Sequence, residues 1–269
     1  MNVMGALGPI INREIEAPGD YWSEDGLLYC GKCHTPKQTH GSGPLAGHRL
    51  PIPCACQTEA AQVEKEQEAR KKTEDLRERC LPGKGMRGHT FETASETKHI
   101  QIARRYVEKW EEIRERNIGL LFWGNTGTGK SFAAHCIANA LIDRGISVRL
   151  FSTVDLITRL MDRETRDRAM ELVTTVPLLI LDDVGAERDT PFAREQLCAV
   201  IETRSESQLP LIVTTNYSVE KMKTSSDPAM QRIFDRLDAL CVRIAVTGES
   251  RRREIREQKM REARSLLGV

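Results

Sequence analysis

The chain has 269 residues, 39% hydrophobic and 29% charged, which fits one full α/β domain with an appendage and excludes both a single small module and a chain too polar to build a core. Forty Lys and Arg balance thirty-nine Asp and Glu, so whole-chain charge argues for neither a nucleic-acid nor a membrane partner, and only local distribution can speak. No apolar run approaches the ~18 residues of a membrane span, and no cationic flank precedes an apolar core at the N-terminus. A cytoplasmic protein without a membrane partner is expected, and in that reducing setting the eight cysteines are read for metal rather than disulfides.

Residues 1–20 lack periodicity and contain Gly5, Gly8, Pro9, Pro18 and Gly19, which predicts a flexible leader. Residues 21–57 are rich in Gly, Pro and Cys and poor in aliphatics, so this segment needs a staple. Cys30 and Cys33 form a CxxC pair and Cys54 and Cys56 a CxC pair, 20 residues apart. Four thiolates so spaced suit a closed tetrahedral Zn²⁺ site whose binding energy supplies the missing folding energy. His34, His40 and His48 lie inside the loop and could replace a cysteine, although four cysteines suffice. Cys80, Cys136, Cys198 and Cys241 sit at or among apolar positions and read as inert thiols. Residues 58–90 form a charged helical linker: 59–79 is almost wholly charged, with no helix breaker before Pro82-Gly83.

From 91 to 269 short aliphatic runs alternate with helical periodicity. Strands are predicted at 118–123, 148–151, 178–181, 211–214 and 242–246, and helices at 97–116, 132–141, 154–160, 164–173, 191–205, 228–237 and 250–267. That alternation predicts an α/β fold with a mainly parallel sheet sandwiched by helices. After the first strand stands Gly124-Asn125-Thr126-Gly127-Thr128-Gly129-Lys130-Ser131, an unbroken GxxxxGK[ST] string followed by Phe132 at the start of a helix. In that context it is a P-loop: backbone N–H groups and the helix N-terminus cradle phosphates, Lys130 reaches the β- and γ-phosphates of ATP, and Ser131 holds Mg²⁺. Asp182, closing the aliphatic run 178–181, is placed to hold Mg²⁺ directly or through water, and Asp183 to orient or deprotonate the attacking water. Glu187 is a weaker catalytic candidate. Asn216, just past the run 211–214, suits a sensor of the γ-phosphate or of that water. Arg232 and Arg236, an i,i+4 pair, share a helix face from which one could reach a neighbouring subunit's γ-phosphate.

The combination resembles the DnaC/DnaI-type replicative helicase loaders, in the versions carried by phages and mobile elements, over residues 29–253. Its carriers are the string Tyr29 to His34 with Pro53 to Cys56, the P-loop, the run from Leu179 through Asp182, Asp183 and Gly185 to Arg188, Ala193 to Gln196, Ile212 to Asn216, Arg232 to Leu237 and Thr247 to Arg251. The resemblance implies a P-loop AAA+ ATPase domain with a small N-terminal zinc-binding domain, ATP, Mg²⁺ and Zn²⁺ as cofactors, and slow, partner-stimulated ATP hydrolysis. It further implies contact with single-stranded DNA, self-association through the ATPase domains, and a zinc domain that docks on a hexameric DnaB-type helicase during primosome assembly. By position, Asn216 looks like sensor 1, Arg236 like the arginine finger with Arg232 as runner-up, Arg251 like sensor 2, and Phe91 like the apolar residue near adenine. The resemblance places DNA contacts at about 154–168, with Arg159, Arg163, Arg166 and Arg168. Members often carry a compact lid after the core, whereas this chain continues as a basic helix. Two alternatives share the P-loop: an IstB-type transposition helper and a small-molecule kinase. A GTPase is disfavoured because no [NT]KxD string follows the P-loop.

Overall fold

The computed structural model describes residues 16–268 except 82, 187–189, 226 and 249, and of 251–255 and 258 it describes the backbone alone. The expected leader therefore lies largely outside the described residues, as does Glu187. The chain divides between Lys72 and Thr73 into two compact units.

The first unit is two small antiparallel hairpins. β1 (Tyr21–Trp22) pairs with β2 (Leu28–Tyr29), and β3 (Gln38–His40) with β4 (Arg49–Pro51). Its core is thin: Leu27, Leu28, Cys30 and Cys54 are its buried apolar residues. Asp20 ties the turns together by accepting from the backbone N–H groups of Ala17 (2.8 Å) and Gly31 (3.0 Å) and from Lys37 Nζ (2.5 Å). Helix α1 (Ala55–Cys80) begins inside the second cysteine pair and contains the whole charged stretch 59–79.

The second unit holds α2 (Lys84–Arg87), α3 (Lys98–Glu108), α4 (Trp110–Glu115), β5 (Gly119–Trp123), α5 (Lys130–Asp143), β6 (Val148–Ser152), α6 (Thr153–Met161), α7 (Arg163–Thr175), β7 (Leu178–Val184), α8 (Pro191–Glu206), β8 (Leu211–Thr215), α9 (Val219–Lys223), α10 (Pro228–Leu240), β9 (Cys241–Ala245) and α11 (Arg251–Leu267). All five strands are parallel, in the order β6-β7-β8-β5-β9. Successive residues of a strand face opposite sides: Leu120, Phe122, Leu178 and Ile180 enter one apolar cluster with α3 and α5, whereas Leu121, Leu179, Leu181 and Val213 enter another with α6, α7, α8 and α10. Burial on both faces is why these strands read as unbroken aliphatic runs. Helix starts follow local chemistry: Ser152, Asp162, Thr190, Ser218 and Asp227 each accept a first-turn N–H, and Pro191 and Pro228 occupy N1 after two of these caps.

One sequence expectation needs correction. The single helix predicted at 97–116 is broken at Lys109 (φ −99°, ψ 24°), where the backbone N–H bonds back to Arg105 and Val107. Trp110 stays buried beside Tyr106 across the break, ring centroids 6.2 Å apart. The strand expected to end in Asp182 and Asp183 does contain both acids and continues one residue further, to Val184. Its register with β8 slips between Leu181 and Val184, and Asp183 takes a left-handed φ of 63°. That bulge re-aims the side chains at the strand's C-terminal end.

Candidate nucleotide and metal sites

β5 delivers the chain into the P-loop between β8 and β9. Gly124 (φ 140°) and Gly127 (φ 84°) hold backbone that favours glycine, and a Cβ would stand 2.3 Å from the backbone Val246 O at the first and 2.1 Å from the Ser250 hydroxyl at the second. Thr128 Oγ1 closes the loop onto Asn125 O at 2.9 Å, and Gly129 turns left-handed into α5. Lys130, only 5% exposed, donates to Gly124 O (2.9 Å), Asn125 O (2.7 Å) and Asn216 Oδ1 (2.8 Å).

Because β8 lies between β5 and β7, Asn216 at its end bridges the lysine and the carboxylates. Its Nδ2 donates to Asp183 Oδ1 at 2.9 Å while its Oδ1 accepts from Lys130. Thr214 holds the neighbouring acid: its hydroxyl donates to Asp182 Oδ1 at 2.6 Å and accepts the Asp183 N–H at 2.9 Å. The sequence singled out Lys130, Asp182, Asp183 and Asn216, and the fold brings all four together; it did not single out Thr214. The left-handed backbone at Asp183 suits Asp or Asn, whose short side chains tolerate it, better than Glu.

The donor set fits a nucleoside triphosphate with Mg²⁺. A buried ammonium that donates to two loop carbonyls and the Asn216 amide oxygen, a crowded glycine turn and a helix N-terminus converge on one point, where anions are favoured. Ser131 and Asp182 would supply the hard oxygen ligands. Phe132 packs against His89, ring centroids 4.8 Å apart. Phe91, expected near adenine, is buried in the core cluster with the Arg104 guanidinium 4.8 Å over its ring. Beneath the loop His135 lies beside Asp182, and burial pushes its pKa down to about 4.

The remaining candidates lie elsewhere. Arg232 and Arg236 are both exposed on α10; Arg236 Nη2 is 3.7 Å from Glu202 Oε1, and Arg232 lines an open cleft with Arg194 and Asp227, which pair with each other. Among the described contacts neither touches the P-loop. The Arg251 side chain lies outside the described residues, but its backbone starts α11 directly after Ser250, the residue that abuts Gly127. Along α6 and α7, Arg159 pairs with Asp155 (2.9 Å) and Arg168 with Glu171 (2.6 Å), while Arg163 and Arg166 are exposed.

In the first unit Cys30, Cys33, Cys54 and Cys56 place their Sγ atoms within 4.8 Å of one another. Zn–S bonds of about 2.3 Å in a tetrahedron imply S···S separations near 3.8 Å; here Cys30 and Cys56 are 3.6 Å apart and Cys54 and Cys56 3.4 Å. The Thr35 hydroxyl holds Cys33 down at about 5, whereas hydrogen bonds with Cys54, then Cys33 and Cys30, push Cys56 up to about 12. Four thiolates cannot share this volume without a cation, so the cluster can hold zinc. His34, His40 and His48 are exposed and outside it. Stripping metal from the full chain with a strong chelator is expected to open residues 16–72 to proteolysis while the second unit stays protected; structural zinc contributes about 10–16 kcal/mol at such sites. An unchanged digestion pattern would show that the cysteines hold no structural metal.

The sequence profile of IstB-like ATP-binding proteins matches residues 60–259. The chain belongs to that family. It is 25% identical over 207 residues to the replicative helicase loader DnaI of Bacillus subtilis, covering 71% of this chain and 67% of that one. It is 27% identical over 144 residues to the replicative helicase loader DnaC of Escherichia coli, covering 51% and 56%. The chain thus spans about half to two-thirds of the curated relatives it matches. Among solved structures, a DnaC helicase loader superposes with a TM-score of 0.54 at 26% identity over 61% of this chain and all of the other, and DnaI with 0.54 at 24% over 63% and 93%. These matches show the fold to be that of P-loop AAA+ proteins. Among the described residues no helix is long and apolar enough to cross a membrane.

Proposed function

We propose that this protein is an ATPase that loads a hexameric DnaB-type replicative helicase onto single-stranded DNA. The observation that carries the ATPase reading is the hydrogen-bonded string Lys130–Asn216–Asp183, which links the phosphate lysine, the sensor and the water-activating acid across three adjacent strands. Lys130 would exchange its loop carbonyls for β- and γ-phosphate oxygens. Asn216, freed on one side, would orient the attacking water, and Asp183 would accept its proton. Ser131 and Asp182 would hold Mg²⁺, which neutralises phosphate charge when bound. The loader reading is supported by the two similar proteins that carry that name and by the four-cysteine unit ahead of the ATPase unit.

Exposed on α10 and away from its own P-loop contacts, Arg236 reads as an arginine supplied to a neighbour, with Arg232 beside it. Turnover would then require self-association on a partner. A specific observation favours a second reading, a transposition helper: the matching family profile is the IstB one. A small-molecule kinase is disfavoured by Asn216 between lysine and acid.

The test is ATP turnover by the zinc-replete protein, alone and with single-stranded DNA and a hexameric helicase. Weak basal turnover should rise with the partners, the increment should vanish in Arg236→Ala and in Asp183→Asn, and mixing the two variants should restore part of it. Robust turnover indifferent to partners and to Arg236→Ala would sink the loader reading; stimulation by duplex DNA and a transposase instead of a helicase would favour the helper.

A further inference from the structure

Helix α5 carries a polar face that none of the roles above uses. His135, five residues beyond Lys130, has 5% of its side chain exposed, and its Nε2 is buried without a hydrogen-bond partner, 3.8 Å from Asp182 Oδ2. On the other side of the ring, Nδ1 lies 2.8 Å from His89 Nδ1, with the two imidazoles stacked at 15°. His89 is itself fixed. Asn139 Nδ2 donates to the carbonyls of Met86 (2.9 Å), His89 (3.0 Å) and His135 (3.1 Å), clasping that segment to α5, and the His89 ring rests on Phe132.

Two nitrogens 2.8 Å apart share one proton, so one histidine donates through Nδ1 and the other accepts. Were His135 the donor, its Nε2 lone pair would face the Asp182 carboxylate at close range, anion against lone pair. With His89 as donor, His135 carries its proton on Nε2 and turns an N–H toward Oδ2, which is the favourable arrangement. We infer that His135 is a positioning residue for Asp182: its Nε2–H, fixed in that tautomer by His89, aligns the carboxylate oxygen not already held by Thr214. A shift of under about 1 Å closes the contact to hydrogen-bond length.

With Oδ1 bound by the Thr214 hydroxyl and Oδ2 faced by the imidazole, the Asp182 carboxylate is restrained at both oxygens, and Oδ2 keeps a lone pair for a divalent cation. Hydrogen-bond partners of metal-binding carboxylates set metal affinity in this way. The arrangement also ties the 86–89 segment, which touches Phe132, to the metal end of the same site. This inference rests on the nucleotide-site reading given above.

The experiment uses the full-length, zinc-replete chain and two readouts. Long-range ¹H–¹⁵N correlation in the nucleotide-free protein reports imidazole tautomers; His135 should appear as the Nε2–H form and His89 as Nδ1–H. Binding of a fluorescent non-hydrolysable ATP analogue, in buffer with Mg²⁺ and in Mg²⁺-free buffer without chelator, gives the Mg²⁺-dependent gain in affinity. His135→Phe, which fills the volume without an N–H, should lose about tenfold or more of that gain with Mg²⁺-free binding unchanged, and His135→Gln, which can donate, should recover most of it. A His135 Nδ1–H tautomer, or a Phe variant that keeps the full gain, overturns the inference while leaving the nucleotide site intact. No Mg²⁺-dependent gain in the unsubstituted chain would instead sink the nucleotide-site reading and this inference with it. Should the Phe variant fail to fold, the tautomer measurement still decides.

Discussion

Asp183→Asn should lower ATP turnover by about 10²–10⁴-fold, the usual contribution of a positioned general base, and leave nucleotide affinity close to unchanged. The substitution is clean because Asn, like Asp, tolerates the left-handed φ of 63° at this bulge. An amide oxygen can also still accept from Asn216 Nδ2, and the 183 N–H still reaches Thr214 Oγ1. Backbone, sensor and strand register therefore survive, and proton acceptance alone is removed. Asp183→Glu is the opposite experiment: the acid is kept, but a longer side chain in left-handed backbone costs about 1–2 kcal/mol and moves the carboxylate off the Asn216 bond. Single-turnover hydrolysis beside equilibrium binding of an ATP analogue separates the two. Turnover unaffected by Asn would remove Asp183 from the mechanism.

Arg204→Met should destabilise the ATPase unit by about 3–5 kcal/mol, roughly 1 kcal/mol for each of the buried carbonyls left without its donor, a fall in melting temperature of about 10 °C for a domain of this size. Arg204 is fully buried at the end of α8, and among the described residues no carboxylate pairs with it. Its guanidinium instead donates to four carbonyls: Val173 (2.8 Å) and Val176 (2.9 Å) at the end of α7, Pro177 (3.2 Å) before β7 and Pro210 (2.6 Å) before β8. Helix C-termini and strand entries leave such carbonyls without internal partners, and one planar fork serves all four. Burial drops the arginine to about 10, still charged at neutral pH. Methionine would fill much of the volume but strand the carbonyls, and Lys, with no fork, should recover little. A variant within 1 kcal/mol of the parent by chemical denaturation, about the net worth of one ordinary hydrogen bond, would mean that water replaces the guanidinium.

The sequence made the parallel sheet legible because each strand is buried on both faces and so reads as an aliphatic run, and it made the helix starts legible because caps are local. The P-loop, the paired acids and Asn216 were legible for a related reason: each stands at the end of such a run, where a parallel sheet gathers its ligands. Strand order was not, since nothing in 211–216 states that β8 inserts between β5 and β7. The break at Lys109 escaped because the apolar spacing of Tyr106, Trp110 and Ile113 continues through it. His89, His135 and Arg204 escaped for a different reason. None of the three carries a periodic signal: His89 lies outside any helix, and the partners of His135 and most of those of Arg204 come from segments about 30 to 50 residues away.

The walls around the P-loop have a bearing on the order in which the chain is made. Gly124 is pressed against Val246 and Gly127 against Ser250, and β5 hydrogen-bonds to β8 on one side and β9 on the other. A ribosome releases the loop about 80 residues before β8 and more than a hundred before β9, Val246 and Ser250, and domains acquire structure as their parts emerge. The phosphate cradle therefore emerges flanked by neither strand. Its walls are complete only once residue 250 has emerged, so a chain truncated before Val246 is expected to bind nucleotide more weakly than the finished protein.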